Sequence, residues 1–273
     1  MFLDINGNTF STLGNTNKVP VTNPNPLQLF GSDLKLWVDF TDKSTLFTDT
    51  ACTTNVTVYG NYILGIIDKS LNRKKLQKSN TTTSGSTDYQ WSSNTTNNLG
   101  GCLRTGAQII GGLDVGFRHE DATFLTSNTN YSLHFVARLE SNASTPALYS
   151  YGFINNSIQF GVNNFSYVNT ANQTNVIQTI NLTAINIASV QFNFATEFYE
   201  SFGNNVYFSP RTGSTAGLNY TSGRFNLFSR YGTSPQNVSP VQNFYCQELY
   251  IVQGLITTEQ LNLTHQYLRL KYL

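Results

Sequence analysis

The chain has 273 residues, and its sixteen basic and fifteen acidic side chains leave a formal net charge of +1 at pH 7. Charged residues make up 11% of it, against roughly 25% in ordinary soluble proteins. So neutral a chain lacks the basic surface that releases counterions from nucleic acid, and its densest basic patch, Arg73-Lys74-Lys75 with Lys69 and Lys78 nearby, reads as a solvated loop. The length suits one large all-β domain with appendages. Nothing approaches the roughly 20 consecutive apolar residues of a membrane span, so no membrane partner is expected. The first residues carry Asp4 and no basic start, unlike a signal peptide. Cys52, Cys102 and Cys246 are odd in number and widely spaced, which fits buried thiols better than a disulfide framework.

Residues 1–31 read as an extended N-terminal arm. Pro24 and Pro26 argue against a helix or an interior strand there, and the apolar points Phe2, Leu3, Ile5, Phe10, Leu13, Leu27, Leu29 and Phe30 are too scattered to form a core alone. Such a segment either docks on a neighbouring chain or returns as a strand to its own domain. The domain proper, residues 32–273, opens with the alternating strand Leu34–Phe40. Short runs of alternating or continuous apolar residues follow at 99–104, 107–112, 131–139, 147–153, 157–162, 188–194, 204–208 and 224–228. Segments 79–98 and 163–179 are rich in Asn, Thr and Ser and read as loops or edge strands. This rhythm predicts two packed antiparallel sheets, since one sheet could not bury both sets of alternate residues.

The chain closes on its most legible stretch. Phe244–Val252 has the aromatic and β-branched content of a strand and runs to Gly254. Thr257 and Gln260 then have capping-box spacing, predicting a helix over 258–270. Leu261, Leu263, Tyr267, Leu268 and Leu270 are expected to pack down, with His265, Arg269 and Lys271 in solvent.

Three phrases carry a family resemblance: LKLWVDFTDKSTLFTD from Leu34, Ile66-Ile-Asp-Lys-Ser-Leu-Asn-Arg73, and the closing CQELYIVQGLITTEQLNLTHQYLRLKYL. They resemble laminin-G-like, or concanavalin A-like, domains of the kind common in bacteriophage and other viral structural proteins. The resemblance implies an all-β, two-sheet antiparallel jelly roll sealed by one C-terminal helix.

Chemistry is harder to find. Glycosidases of this fold place paired carboxylates on one strand, but Glu197 and Glu200 are separated by an odd number of positions and would point to opposite faces. His119, His134 and His265 are dispersed, and His134, between Leu133 and Phe135, reads as a sheet histidine. No catalytic residue, cofactor or metal site is expected. Calcium near Asp39, Asp42 and Asp49 stays open, because relatives of this fold bind it through loop oxygens. Tyr89, Trp91 and Tyr231, on predicted loops, are candidates for stacking on a glycan.

Two functions remain. One is a structural virion protein, made in the host cytoplasm and not secreted, that assembles with capsid or tail subunits, or in multiple copies, through the jelly roll and the arm. The other is a carbohydrate-binding module for surface glycans.

Overall fold

The computed structural model describes residues 23–78, 89–94, 99–104, 116–121, 125, 129–139, 147–151, 157–161, 164–168, 174–178, 186–193, 198–203, 206–212, 225–230, 239–240 and 244–273. In chain order the strands are β1 (Leu34–Asp39), β2 (Leu46–Phe47), β3 (Gly65–Ile67), β4 (Lys75–Lys78), β5 (Gln90–Asn94), β6 (Leu99–Arg104), β7 (Phe117–His119), β8 (Tyr131–Leu139), β9 (Ala147–Tyr151), β10 (Ser157–Gly161), β11 (Asn164–Val168), β12 (Thr174–Gln178), β13 (Asn186–Asn193), β14 (Phe198–Gly203), β15 (Val206–Thr212), β16 (Phe225–Leu227), β17 (Ser229–Arg230), β18 (Ser239–Pro240) and β19 (Phe244–Gln253). Helix α1 (Pro26–Phe30) precedes them and α2 (Thr258–Tyr272) closes the chain.

Seventeen of these strands form the two antiparallel sheets that the strand rhythm predicts, and β17 and β18 pair with each other as a separate two-stranded ribbon. An eight-stranded sheet runs β15-β14-β13-β8-β19-β6-β5 with β1 also paired to β19, and a nine-stranded sheet runs β12-β11-β10-β9-β16-β7-β4-β3-β2. The Asn/Thr/Ser-rich segments contribute β5 at one end of the first sheet and β12 at the edge of the second, but 163–179 also supplies β11, which is paired on both sides and so is not an edge strand. The predicted strand at 107–112 lies outside the described residues.

Strand β1 is buried on both faces. Leu36, Val38 and Phe40 enter the core between the sheets with Leu133, Phe135, Leu249 and Ile251. Leu34 and Trp37 face the other way, into a second apolar cluster with Val136, Ile187, Tyr250, Leu261, Leu268 and Tyr272. That second cluster is the seam between the outer face of the eight-stranded sheet and α2. Cys246 is a buried thiol and Cys52 a half-buried one.

Helix α2 begins at its predicted cap: the Thr257 side chain accepts from Gln260 N (3.1 Å) and the Gln260 side chain accepts from Thr257 N (2.9 Å). Gly254 takes φ +105° at the preceding turn, a conformation open mainly to glycine. The buried stripe corrects the expected one. It consists of Leu261, Thr264, His265, Leu268 and Tyr272, steps of three and four residues that stay on one side at 100° per residue. His265 is therefore buried, and Leu270, expected inside, is 72% exposed.

The arm also needs correcting at its inner end. Residues 26–30 form a helical turn, because Pro26 stands at the first helical position where a missing N–H costs nothing. Asn25 and Gln28 cap it reciprocally, each bond 3.0 Å. Phe30 is buried in the seam with Leu27 and Leu29 packed against it, so this stretch belongs to the domain. Residues 1–22 lie outside the described residues.

Candidate functional site

A connected set of titratable groups gathers where β1, β19 and the loop after β3 meet α2. Glu248, fully buried, accepts from Trp37 Nε1 (2.6 Å), Tyr272 OH (2.6 Å) and Tyr267 OH (3.1 Å) and pairs with Lys271 (2.8 Å). Lys271 also pairs with Asp39 (2.8 Å), which reaches Lys69 (3.0 Å), which reaches Asp42 (2.8 Å). Burial would raise the Asp39 pKa, but Lys271 and Lys69 hold it below the ordinary carboxylate value. Glu248 goes the other way: burial and the Asp39 charge raise it, and Lys271 and Tyr272 offset this only in part. Burial and the Glu248 charge together push the phenols of Tyr267 and Tyr272 up.

The Asp-Lys-Ser phrase of the sequence turns out to be the clamp of this network. Asp68 accepts from Trp37 N (2.7 Å), Ser70 N (2.8 Å) and the Ser70 hydroxyl, while Lys69 N donates to Trp37 O (2.8 Å). The Lys69 ammonium lies 4.6 Å from the centre of a Trp37 ring. Each of these groups is committed to a neighbour, so the arrangement fastens α2 and the loop to the sheet.

The three aspartates considered for calcium do not come together as a cage. Asp39 and Asp42 face lysines, and Asp49 accepts from Thr53 N (3.1 Å) and Thr54 N (2.7 Å) within its own loop. Among the described residues no group of three or more His, Cys, Asp or Glu side chains could hold a metal ion. Glu197 lies outside the described residues, and Glu200 is placed on β14 opposite Gln191.

Of the aromatics named as glycan candidates, Tyr89 and Trp91 are not on exposed loops. Tyr89 is 1% exposed and donates its hydroxyl to Phe228 O (2.9 Å); Trp91, on β5, is 7% exposed and donates Nε1 to Phe40 O (2.9 Å). Both rings have been recruited to the core, which corrects the expectation that they stand free. Tyr231 lies outside the described residues.

Trp91 instead supports a ring that the sequence reading passed over. Tyr59 stacks on it with ring centroids 4.4 Å apart and planes at 33°, and is itself 52% exposed. Tyr59 is the second residue of the turn Val58–Asn61, closed by Asn61 N donating to Val58 O (3.2 Å). Gly60, third in the turn, has φ +92°, the requirement of a type II turn. Asn61 Oδ1 accepts from Thr57 N (3.0 Å) and Val58 N (3.1 Å). Two backbone bonds then tie the turn to β5, Gly60 N to Trp91 O (2.7 Å) and Trp91 N to Asn61 O (2.9 Å). Val58 and Tyr59 thus project side by side from a rigid edge of the sandwich. The available signal was the Gly60-Asn61 pair, which marks a turn and so places Tyr59 at its tip.

No protein-family model matches the chain, and no curated protein does. Solved structures do. The fold is similar to that of botulinum neurotoxin type C, a toxin that depends on interaction with two ganglioside molecules to enter cells, at TM-score 0.51 and 15% identity over 76% of this chain and 51% of that one. It is also similar to the botulinum neurotoxin serotype C1 binding domain (TM-score 0.50, 12% identity, 84% and 53%) and to an arabinofuranosidase complexed with arabinofuranosyl-α-1,2-xylobiose (TM-score 0.50, 12% identity, 75% and 50%). The chain spans about half the length of these structures, and identities this low establish the sandwich fold alone.

Proposed function

We propose that the chain is a carbohydrate-binding domain that holds a neutral glycan against Tyr59. The exposed Tyr59 ring, stacked on Trp91, carries this reading. A pyranose presents an apolar face of C–H groups, and an amphipathic aromatic ring with one face already packed offers it a flat partner. The turn bonds fix that ring before any ligand arrives, so little conformational freedom is lost on binding. The exposed Thr53, Thr54, Asn55 and Thr57 nearby in the chain supply hydrogen-bonding groups without net charge. Support of a coarser kind comes from the fold itself, which is similar to that of proteins solved in connection with ganglioside interaction and with a bound oligosaccharide.

The reading is of a binding domain and not of an enzyme. The virion-assembly reading rests on the sequence resemblance, and no described contact favours it; a glycan-binding domain displayed on a particle would satisfy both. A glycan array probed with the intact chain, with Tyr59→Ala and with Leu270→Ala as a surface control tests the proposal. Tyr59→Ala is expected to weaken every recognised glycan at least tenfold, about 1.4 kcal/mol, with a fall in melting temperature of no more than a few degrees from loss of the Trp91 contact, while the control binds normally. Binding equal to that of the unmodified chain would remove Tyr59 from the site, and failure to bind any glycan would overturn the function.

A further inference from the structure

Beneath α2, away from the ion-pair network, three polar side chains meet in an otherwise apolar seam. His134 on β8, Ser189 on β13 and His265 on α2 are all buried. His134 Nδ1 lies 2.7 Å from Ser189 Oγ, and His265 Nε2 lies 2.9 Å from the same oxygen. One hydroxyl therefore joins the helix to the sheet through two imidazoles. The His134 ring is stacked on Tyr250 (centroids 4.8 Å, 25°) and Phe30 (6.0 Å, 16°). Its Nε2 has no hydrogen-bond partner among the described residues.

We propose that this His134–Ser189–His265 contact is an acid-sensitive latch that holds α2 on the sheet at neutral pH and releases it when the histidines take up protons.

The proton inventory explains the sensitivity. A serine hydroxyl has one hydrogen to give and lone pairs to accept with. With both rings neutral, it donates to one nitrogen and accepts from the N–H of the other, and the three groups are matched. A doubly protonated ring has only donors; once both rings reach that state, both nitrogens facing Ser189 carry hydrogens and the serine hydrogen is left without an acceptor between them. The added charge is also buried.

On α2 the charged neighbour of His265 is Arg269, of the same sign. Ser189 faces the rings from β13, Tyr250 from β19 and Phe30 from α1. Glu248, two residues from Tyr250, is committed to Lys271, Trp37, Tyr267 and Tyr272. Burial first, and then Arg269, lower the His265 pKa to about 4; burial and then His265 lower that of His134 well below its ordinary value.

The sign follows from linkage. Both groups bind protons more weakly in the closed form than in an open one, where a histidine has a pKa of about 6.5. The closed form is therefore favoured above that value, and loses ground as pH falls from about 6.5 towards 4. Glu248 and Asp68, whose pKa values are raised, act with the opposite sign below their folded values. His119, also lowered by burial, shares the sign of the latch but sits on β7 in the other sheet.

The test is amide hydrogen exchange on the intact chain, normalised to intrinsic rates, at pH 7.5 and 5.0. His265 alone, moving from about 4 closed to an ordinary value open, is expected to raise opening of α2 on the order of 30-fold between the two. Amides of β8 and β19 are expected to keep their protection. Equal normalised protection of α2 at both pH values overturns the proposal, as does a loss shared equally by β8 and β19. In His265→Gln the pH response of α2 should shrink to the part that His134 supplies, and in His119→Gln it should remain; the reverse pattern also overturns it. The pH series on the unmodified chain stands even where a variant fails to fold.

Discussion

Lys271→Met is the sharpest probe of what holds α2 to the sheet. The ammonium of Lys271 is 2.8 Å from both Glu248 and Asp39, and removing it strands a fully buried carboxylate. Asp39 retains Lys69, but Glu248 loses its one cation among the described residues and keeps only the neutral donors Trp37, Tyr267 and Tyr272. Breaking a buried pair by deleting one partner costs about 3–5 kcal/mol. Lys271 is partly exposed and the Lys69 pair survives, so the lower end, about 3 kcal/mol, is expected. At about 2–4 °C per kcal/mol for somewhat smaller domains, melting followed by circular dichroism at pH 7.5 should fall by about 5–10 °C. Adding Glu248→Gln should restore more than half of this, because it removes the stranded charge. The defect should also narrow at pH 5.0. Glu248 has a folded pKa above its unfolded one, so it gains stability as pH falls through the folded value, and more so once the lysine is gone. A loss below about 1 kcal/mol, or one that persists in the double variant, would refute the view that paired charge fastens the helix.

Three further perturbations test separate parts of the fold. Thr257→Ala removes one half of the capping box on α2 and should cost about 1 kcal/mol in urea denaturation. Gly65→Ala would put a Cβ 2.5 Å from Asp49 O and 2.6 Å from Cys52 Sγ; the backbone cannot yield cheaply there, so a loss of about 1–3 kcal/mol is expected by the same assay. Phe30→Ala should cost about 3 kcal/mol, read as a lower melting temperature, because the ring is buried against His134 and Tyr250; an unchanged temperature would return residues 26–30 to the arm.

What could be read in advance was local. The strand at 244–253, the cap at Thr257 and the run of short strands depend on neighbours a few positions apart, and they stand as expected. The errors have physical causes of the same kind. Pro24 and Pro26 read as helix breakers, although Pro26 stands where a helix begins. A count of leucines along α2 lets apolar character alone set its inner face; the seam instead takes Thr264 and also His265, which meets Ser189 opposite. The Trp37–Glu248 bond joins residues 211 positions apart, and no spacing rule reaches that far. The same holds for Tyr59, whose role depends on Trp91 lying beneath it.

The aromatic content shows why a binding surface was hard to find. Nineteen Phe and fifteen Tyr look like an abundance of sugar platforms, yet the described rings are mostly spent on the core: Tyr89, Tyr131, Tyr250, Tyr272, Phe40, Phe117 and Phe135 are among the largest fully buried side chains. A chain with few charges fills its sandwich with rings and places several of its scarce ions, Asp39, Asp42, Lys69, Lys271 and Glu248, in one seam. Around the exposed ring the described surface positions Thr53, Thr54, Asn55 and Thr57 carry neutral amides and hydroxyls, which hydrogen-bond a sugar as readily as water and so mark no spot as special. Only an aromatic ring that the core does not claim breaks that uniformity, and Tyr59 does so because Gly60 lets the chain turn beneath it while Trp91 closes its inner face.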